Sequence, residues 1–285
     1  MTPKDFRHLE RLRVRWAEVD MQHIVFNGHY LMYIDTAVAG YWRAIALPYQ
    51  EAMQRMGGDL FVRKCSLEYH GPAAYDDVLD IGVRCERIGN SSLLFQAGVF
   101  RGLDLLVSGE LVYVFADPAV KQPRPVPPEL RLTLQGFEAG EDMVDVRVGR
   151  WAQLGAEAGS IRAEVFVQEQ KIPADMEWDA ADAECVHAVA YNRLGMAVAT
   201  GRLLEHVPGV AKIGRMAVRR PLRGSRVGRA VLEGLMQAAR DKGYREVILH
   251  AQMSAEPFYR RAGFHQRGPV FEEAGIEHVE MVRAL

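Results

Sequence analysis

Asp20 is followed seven residues on by Asn27 and ten on by Tyr30, where a strand-like run gives way to a long apolar segment. A carboxylate just ahead of a helix start can attack an acyl carbonyl or activate water. The unpaired amides and dipole of the helix terminus can hold the oxyanion that forms. Asn27 can donate or accept a hydrogen bond there but cannot titrate, and His23 is the nearest group that can. Far downstream, Arg223-Gly224-Ser225-Arg226-Val227-Gly228, with Arg229 next, joins small residues to cations at the head of an amphipathic run. That combination suits phosphate at a helix N-terminus, and Arg215, Arg219 and Arg220 thicken the same basic cluster. Each feature has a plainer reading: a turn carboxylate at Asp20, a solvated basic face downstream.

The elements that must carry these residues follow from periodicity. Leu12, Val14 and Trp16 alternate with arginines, the pattern of a half-buried strand that would end at the Asp20 turn. From about 27 to 47 the chain is apolar nearly all round, which predicts a helix buried at the centre of a domain, with Asn27 as its N-cap. Strands are expected over roughly 60–70, 77–88, 91–102 and 105–116, punctuated by Gly and Pro, an α+β layout. A proline-rich tail (Pro123 to Pro128) and a linker near 137–143 would close a first domain at 136. Over 144–285 the pattern becomes α/β, with helices near 152–168, 226–242 and 255–262. Strands are expected near 184–192, 195–205, 209–219, 245–251 and 277–284.

With 285 residues, 49% hydrophobic and 25% charged, the chain can bury two cores of ordinary size. Lys and Arg number 15 against 17 Asp and Glu up to residue 140, and 20 against 20 beyond it, so neither half is a polycation seeking nucleic acid or an anionic membrane. Cys65, Cys85 and Cys185 lack metal-ligand spacing and sit in apolar runs, so buried reduced thiols are expected, with no zinc site. The charged Met1–Arg15 segment and the absence of any apolar stretch near the ~20 residues of a membrane span lead to the expectation of a cytoplasmic protein.

Residues 8–136 resemble the hotdog-fold thioesterases of the 4-hydroxybenzoyl-CoA thioesterase and YbgC-like family. The resemblance is carried by Asp20 through Tyr30, the Tyr69-His70-Gly71-Pro72-Ala73 segment and the proline-rich tail. It implies an antiparallel sheet wrapped round a central helix, an acyl-CoA substrate, and Asp20 as nucleophile or general base, with amides near Val25 to Gly28 on the thioester oxygen. It also implies a site between two protomers, hence a homodimer or tetramer. Asn27 stands where such proteins usually have His, and Gln22 and His23 where they have Gly.

Residues 144–285 resemble the GNAT acetyltransferases, in particular an ElaA-like branch, through Val165 to Pro173, Glu177 to His187, Arg223 to Gly228 and Phe258 to Phe264. The resemblance implies acetyl-CoA as cosubstrate, with its pyrophosphate on the Arg223–Arg229 loop, where Arg226 replaces a usual Gly. Backbone at Met216 and Val218 would pair with pantetheine, and Gln252 would stand beside it. Tyr259 would be the general acid, since a phenol near ~10 and a thiol near ~8.5 can exchange a proton usefully. Glu177, Asp179, Asp182, His187 and His250 remain open as the base toward an unidentified amine. The expected protein is a bifunctional acyl-CoA thioesterase and N-acetyltransferase without a metal. Two alternatives stand beside it: the first half as a non-catalytic dimerisation or acyl-CoA-sensing module, or the second as a CoA-binding domain only.

Overall fold

A computed structural model describes residues 1–285, which divide into two compact units, Met1–Met143 and Val144–Leu285. In the first, β1 (His8–Arg13) leads through a short 3₁₀ turn to α1 (Asn27–Ala44) and α2 (Tyr49–Met56). Four long strands follow: β2 (Asp59–Tyr69), β3 (Val78–Ile88), β4 (Ser92–Arg101) and β5 (Asp104–Ala116), then α3 (Pro128–Glu138). The antiparallel sheet runs β1-β3-β4-β5-β2, so β2 crosses from beside the helix to the far edge. Leu79, Ile81 and Val83 of β3 are buried, as are Tyr33, Ile34, Ala37 and Tyr41 of α1. Helix and strand approach closely at Gly40, where a Cβ would fall 2.3 Å from Glu10 Oε2 and 2.6 Å from His8 Nε2.

Several expectations change here. Trp16 belongs to the 3₁₀ turn rather than to a strand and is 69% exposed, because β1 ends at Arg13 and pairs with β3 only that far. The N-cap of α1 is Phe26, and Asn27 is the first helical residue. The helix is not enclosed all round within one chain: Leu31, Met32, Asp35 and Thr36 are exposed on one side. Cys65 is exposed because β2 is an edge strand, whereas Cys85 and Cys185 are buried. Phe137 and Glu138, expected to begin a linker, are the last turn of α3. Phe137 is buried against Tyr41, and the Arg7 guanidinium caps its carbonyl.

The second unit holds β6 (Val144–Arg150), α4 (Trp151–Arg162) continuing as a π-helical stretch Ala163–Glu169, and α5 (Ala174–Glu177). Next come β7 (Val186–Asn192), β8 (Ala197–Val207), β9 (Val210–Val218), α6 (Val227–Asp241) and β10 (Glu246–Gln252). The unit ends with α7 (Glu256–Arg261), β11 (His265–Glu273) and β12 (Ile276–Ala284). The sheet order is β11-β12-β10-β9-β8-β7-β6, and only β9 and β10 run parallel. Their pairing stops at Ile213 and Leu249, beyond which the strands part. Opposite that opening β9 bulges against β8 between Arg202 and Thr200, with Arg215 at φ 52°. Leu154, Ala158 and Ile161 of α4 pack on Val189, Tyr191 and Ala217. Successive strand residues face opposite ways, and α6 covers the other face over Gly201 with Val231 and Leu235. No helix is long and apolar enough to cross a membrane.

Candidate active sites

Asp20 sits at the turn of a short hairpin that leads into α1. The Asp20 amide donates to the Ile24 carbonyl at 2.9 Å, the Phe26 amide to the Glu18 carbonyl at 2.9 Å, and Val19 bridges Val25. The Asp20 carboxylate accepts one bond from the protein, the Gln22 amide at 2.8 Å, and is partly open to solvent. The turn is tight enough to hold the exposed His23 at φ 62°, and no side chain engages its ring.

Of the amides expected for an oxyanion, two are already spent: Val25 donates to the Ala73 carbonyl at 2.8 Å, and Phe26 to Glu18. Asn27 and Gly28, first in α1, keep theirs, as helix geometry requires. The Asn27 carbonyl accepts the Tyr69 hydroxyl at 3.1 Å, and the Tyr30 hydroxyl accepts the Ala73 amide at 2.9 Å. Tyr69 and Ala73 therefore fasten the segment carried in the sequence motif to the head of α1.

Glu18 was not singled out by sequence. It is 3% exposed and accepts the Tyr33 hydroxyl at 2.8 Å and the Arg15 amide at 2.8 Å. Burial alone would raise its carboxyl, but the Arg15 guanidinium and these donors outweigh burial and hold it below the ordinary value. It braces the hairpin that presents Asp20. Only its spacing from Tyr33 could have hinted at this.

In the second unit the loop before α6 has Gly224 at φ 85° and Arg226 at φ 69°. The left-handed conformation at 226 accounts for a Gly being the easier residue there. The amides of Gly224, Arg226, Val227 and Gly228 have no acceptor inside the protein. Gly228 lies under β9, where a Cβ would come 3.0 Å from Val218. Ser225 turns its hydroxyl back to the Leu222 carbonyl at 2.5 Å. An anionic diphosphate fits this cradle of amides.

The basic cluster is largely spoken for. Arg223 pairs with Glu169 at 2.6 Å and reaches the Val218 carbonyl, Arg219 pairs with Glu164 at 2.9 Å, and Arg229 with Glu233 at 2.7 Å. Arg215 faces Glu177 at 3.2 Å. Arg220 and Arg226 are both exposed and in no ion pair, and of the two Arg226 stands at the head of α6.

Met216, Gln252 and Tyr259 line one cavity of about 510 Å³ that opens where β9 and β10 part, together with Lys212, His250 and Glu273. Tyr259 is 7% exposed and its hydroxyl bonds to no protein group; burial pushes it above the ordinary phenol value, so it stays protonated. Gln252 donates to Gln170 at 3.2 Å.

Glu177, Asp179, Asp182 and His187 resolve into scaffolding. Arg162, 1% exposed, bonds Glu177 at 2.5 Å and Asp182 at 2.7 Å, and Arg202 bonds Asp179 and Asp182, each at 2.7 Å. His187 is 1% exposed, lies tilted against the Trp151 ring and is bonded to the Asp182 carbonyl at 2.9 Å.

The Thioesterase superfamily profile matches residues 22–108, and the Acetyltransferase (GNAT) domain profile matches residues 154–285. An "Uncharacterized N-acetyltransferase YjcF" of Bacillus subtilis (strain 168) is 36% identical over 124 residues, 43% of this chain and 87% of that protein. A "Putative esterase" of Aquifex aeolicus (strain VF5) is 31% identical over 91 residues, 32% of this chain and 70% of that protein. The chain belongs to both families. The "Acyl-CoA thioester hydrolase YbgC" of Escherichia coli O6:H1 is 26% identical over 117 residues, 41% of this chain and 87% of that protein. The first unit is thus a hotdog thioesterase fold and the second a GNAT acyltransferase fold, the two classes of enzyme expected from the motifs.

Proposed function

We propose that one polypeptide hydrolyses acyl-CoA thioesters in its hotdog domain and transfers acetyl from acetyl-CoA to an amine in its GNAT domain. The domains are taken as 1–136 and 144–285. The observation that carries the first activity is the Asp20 carboxylate at the mouth of α1, bonded by a single backbone amide and beside the free Asn27 and Gly28 amides. Asp20 attacks the thioester carbonyl or draws the proton from water, the α1 amides take the oxyanion, and the Asn27 side chain positions the acyl group. Thiol release over a panel of acyl-CoAs tests this. Asp20→Asn should cost about 10²-fold or more, and a variant as fast as the parent would reject the role.

For the second activity, the Gly224, Arg226, Val227 and Gly228 amides and the Arg226 side chain hold the diphosphate, with Arg223 and Arg229 flanking it. Backbone at Met216 and Val218 takes pantetheine where β9 parts from β10, and Tyr259 returns a proton to the thiolate. Calorimetry with acetyl-CoA is expected to show binding that survives Tyr259→Phe while turnover falls.

A second copy completes the hotdog domain in this reading. The free edge of β2, with Phe61 and Val62 exposed, and the bare Leu31 and Met32 on α1 support it. Sedimentation should give a dimer or tetramer. Three unpaired cysteines suit the reducing cytoplasm assigned to it.

The reading in which the hotdog half only senses acyl-CoA draws on Gln22, whose amide occupies one Asp20 oxygen. Stoichiometric acyl-CoA binding without thiol release at any chain length would favour it.

A further inference from the structure

We propose that His250 takes the proton from the acceptor amine in the GNAT domain, with Glu273 as the residue that positions its ring. The proposal rests on the acetyltransferase reading above. Among the five groups the sequence offers as a base, Glu177, Asp179 and Asp182 are locked to guanidinium groups and His187 is sealed in the core. Glu177 and Asp179 also line the cavity that holds Tyr259, and Asp179 is 37% exposed, but guanidinium groups hold both carboxylates; of the five, His250 is the group in that cavity with no guanidinium on it.

Its side chain on β10 is 27% exposed, and the Phe271 ring lies edge-on with centroids 4.9 Å apart, which limits rotation. Nδ1 lies 3.2 Å from Glu273 Oε2, and Nε2 lies 3.9 Å from Glu280 Oε2. When Nδ1–H donates to Glu273, Nε2 carries the lone pair. A base oriented by a carboxylate behind it is the arrangement general-base catalysis requires.

Lys212 competes for the same nitrogen. Its Nζ lies 3.2 Å from Nδ1, and an ammonium there would favour the opposite tautomer. Burial pushes Lys212 below its ordinary value, while Glu273 and Glu280 pull it the other way. The charged and titratable groups facing the ring are therefore Lys212 from β9, Glu273 from β11, and Glu280 and His278 from β12.

In the step, one proton of the ammonium passes to His250 Nε2 and the freed amine attacks the acetyl carbon. The N–C bond forms as the C–S bond breaks. The thiolate takes the Tyr259 proton, and the second amine proton restores the phenol.

The test uses the full-length chain, acetyl-CoA and two small amines: ethylamine, protonated at neutral pH, and hydroxylamine, already neutral there. The acetylated product is read by mass spectrometry, so hydrolysis by the hotdog domain does not contribute. His250→Ala should lose about 10²-fold on ethylamine but only a few-fold on hydroxylamine, and His250→Asn, which keeps polarity without titrating, should show the same selectivity. Glu273→Gln should shift the acid limb of the ethylamine profile to lower pH, and Lys212→Met should shift it to higher pH. Equal losses on both amines, or none, would overturn the proposal alone. A parent chain that binds acetyl-CoA yet acetylates neither amine would overturn the proposal together with the transfer reading.

Discussion

Asp20 lies in a hairpin turn and Asp182 in a short 3₁₀ helix, Ala180–Ala183, and their surroundings differ in one decisive respect. Asp20 is half-open and holds one backbone amide, so a carbonyl or a water can still approach it. Asp182 is 5% exposed and is held by Arg162 and Arg202, each at 2.7 Å. Burial alone would raise the Asp182 carboxyl, yet the two guanidinium groups outweigh it and keep the group below the ordinary range. A carboxylate saturated by cations has little basicity left to give. Acid content therefore marks the loop as important in both units, and the partners decide whether the importance is chemical or structural.

The comparison breaks most sharply at Arg162. Arg162→Met should leave Glu177 and Asp182 buried without their shared cation and cost the GNAT domain about 3–5 kcal/mol, read by urea unfolding. Asp20→Asn should behave oppositely. Its stability should change by no more than about 0.5 kcal/mol, while thiol release falls as described above. If the Arg162 variant keeps full stability, the acidic loop is not scaffolding and its members return as candidate bases.

Acid sensitivity should also separate the two units. In the hotdog domain His8 is half-buried beside Tyr41, and burial, with Arg43 adding to it, pushes its ring from 6.5 down to about 4. The folded value lies below the unfolded one, so its contribution is complete above about 6.5 and is lost as pH falls through about 4. Asp179 and Asp182 are also lowered, from 3.8, so their contribution is complete above that range and is lost only below it. Hydrogen exchange should therefore show β1 loosening at mildly acidic pH while β7 and β8 hold. His8→Leu should flatten the upper part of that dependence, and parallel weakening of both units would contradict it.

Much of the frame was legible because buried residues alternate along parts of β3, β4 and β5 and α6 carries one apolar stripe of Val231, Leu235 and Ala239. What escaped has identifiable causes. The β11 strand has no apolar alternation because it is the exposed edge of its sheet. The α3 helix hid behind Pro127 and Pro128, which occupy its N-cap and first position, where proline costs nothing. At the sites, Asp20, Arg226 and Tyr259 stand out in the sequence as candidates because local spacing marks them. Glu18, Lys212 and Glu273 do not, since their meaning comes from partners brought in by the fold, such as His250 across two strands.

The smallest expected effect concerns Arg226, the one loop position where charge and backbone pull in opposite directions. At φ 69° a non-glycine residue carries strain of about 1 kcal/mol, which this chain accepts to place an unpaired guanidinium before α6. Arg226→Ala keeps the strain and removes the cation, so acetyl-CoA should bind about tenfold more weakly, near 1.4 kcal/mol, at unchanged stability. Arg226→Gly removes both, so it should bind like the alanine variant or slightly better while unfolding at higher urea. Calorimetry on the two variants separates the contributions. If Gly restores parental affinity, the amides alone hold the diphosphate and the guanidinium is a bystander; if Ala and Gly bind equally weakly, the charge is what this loop gained by departing from glycine.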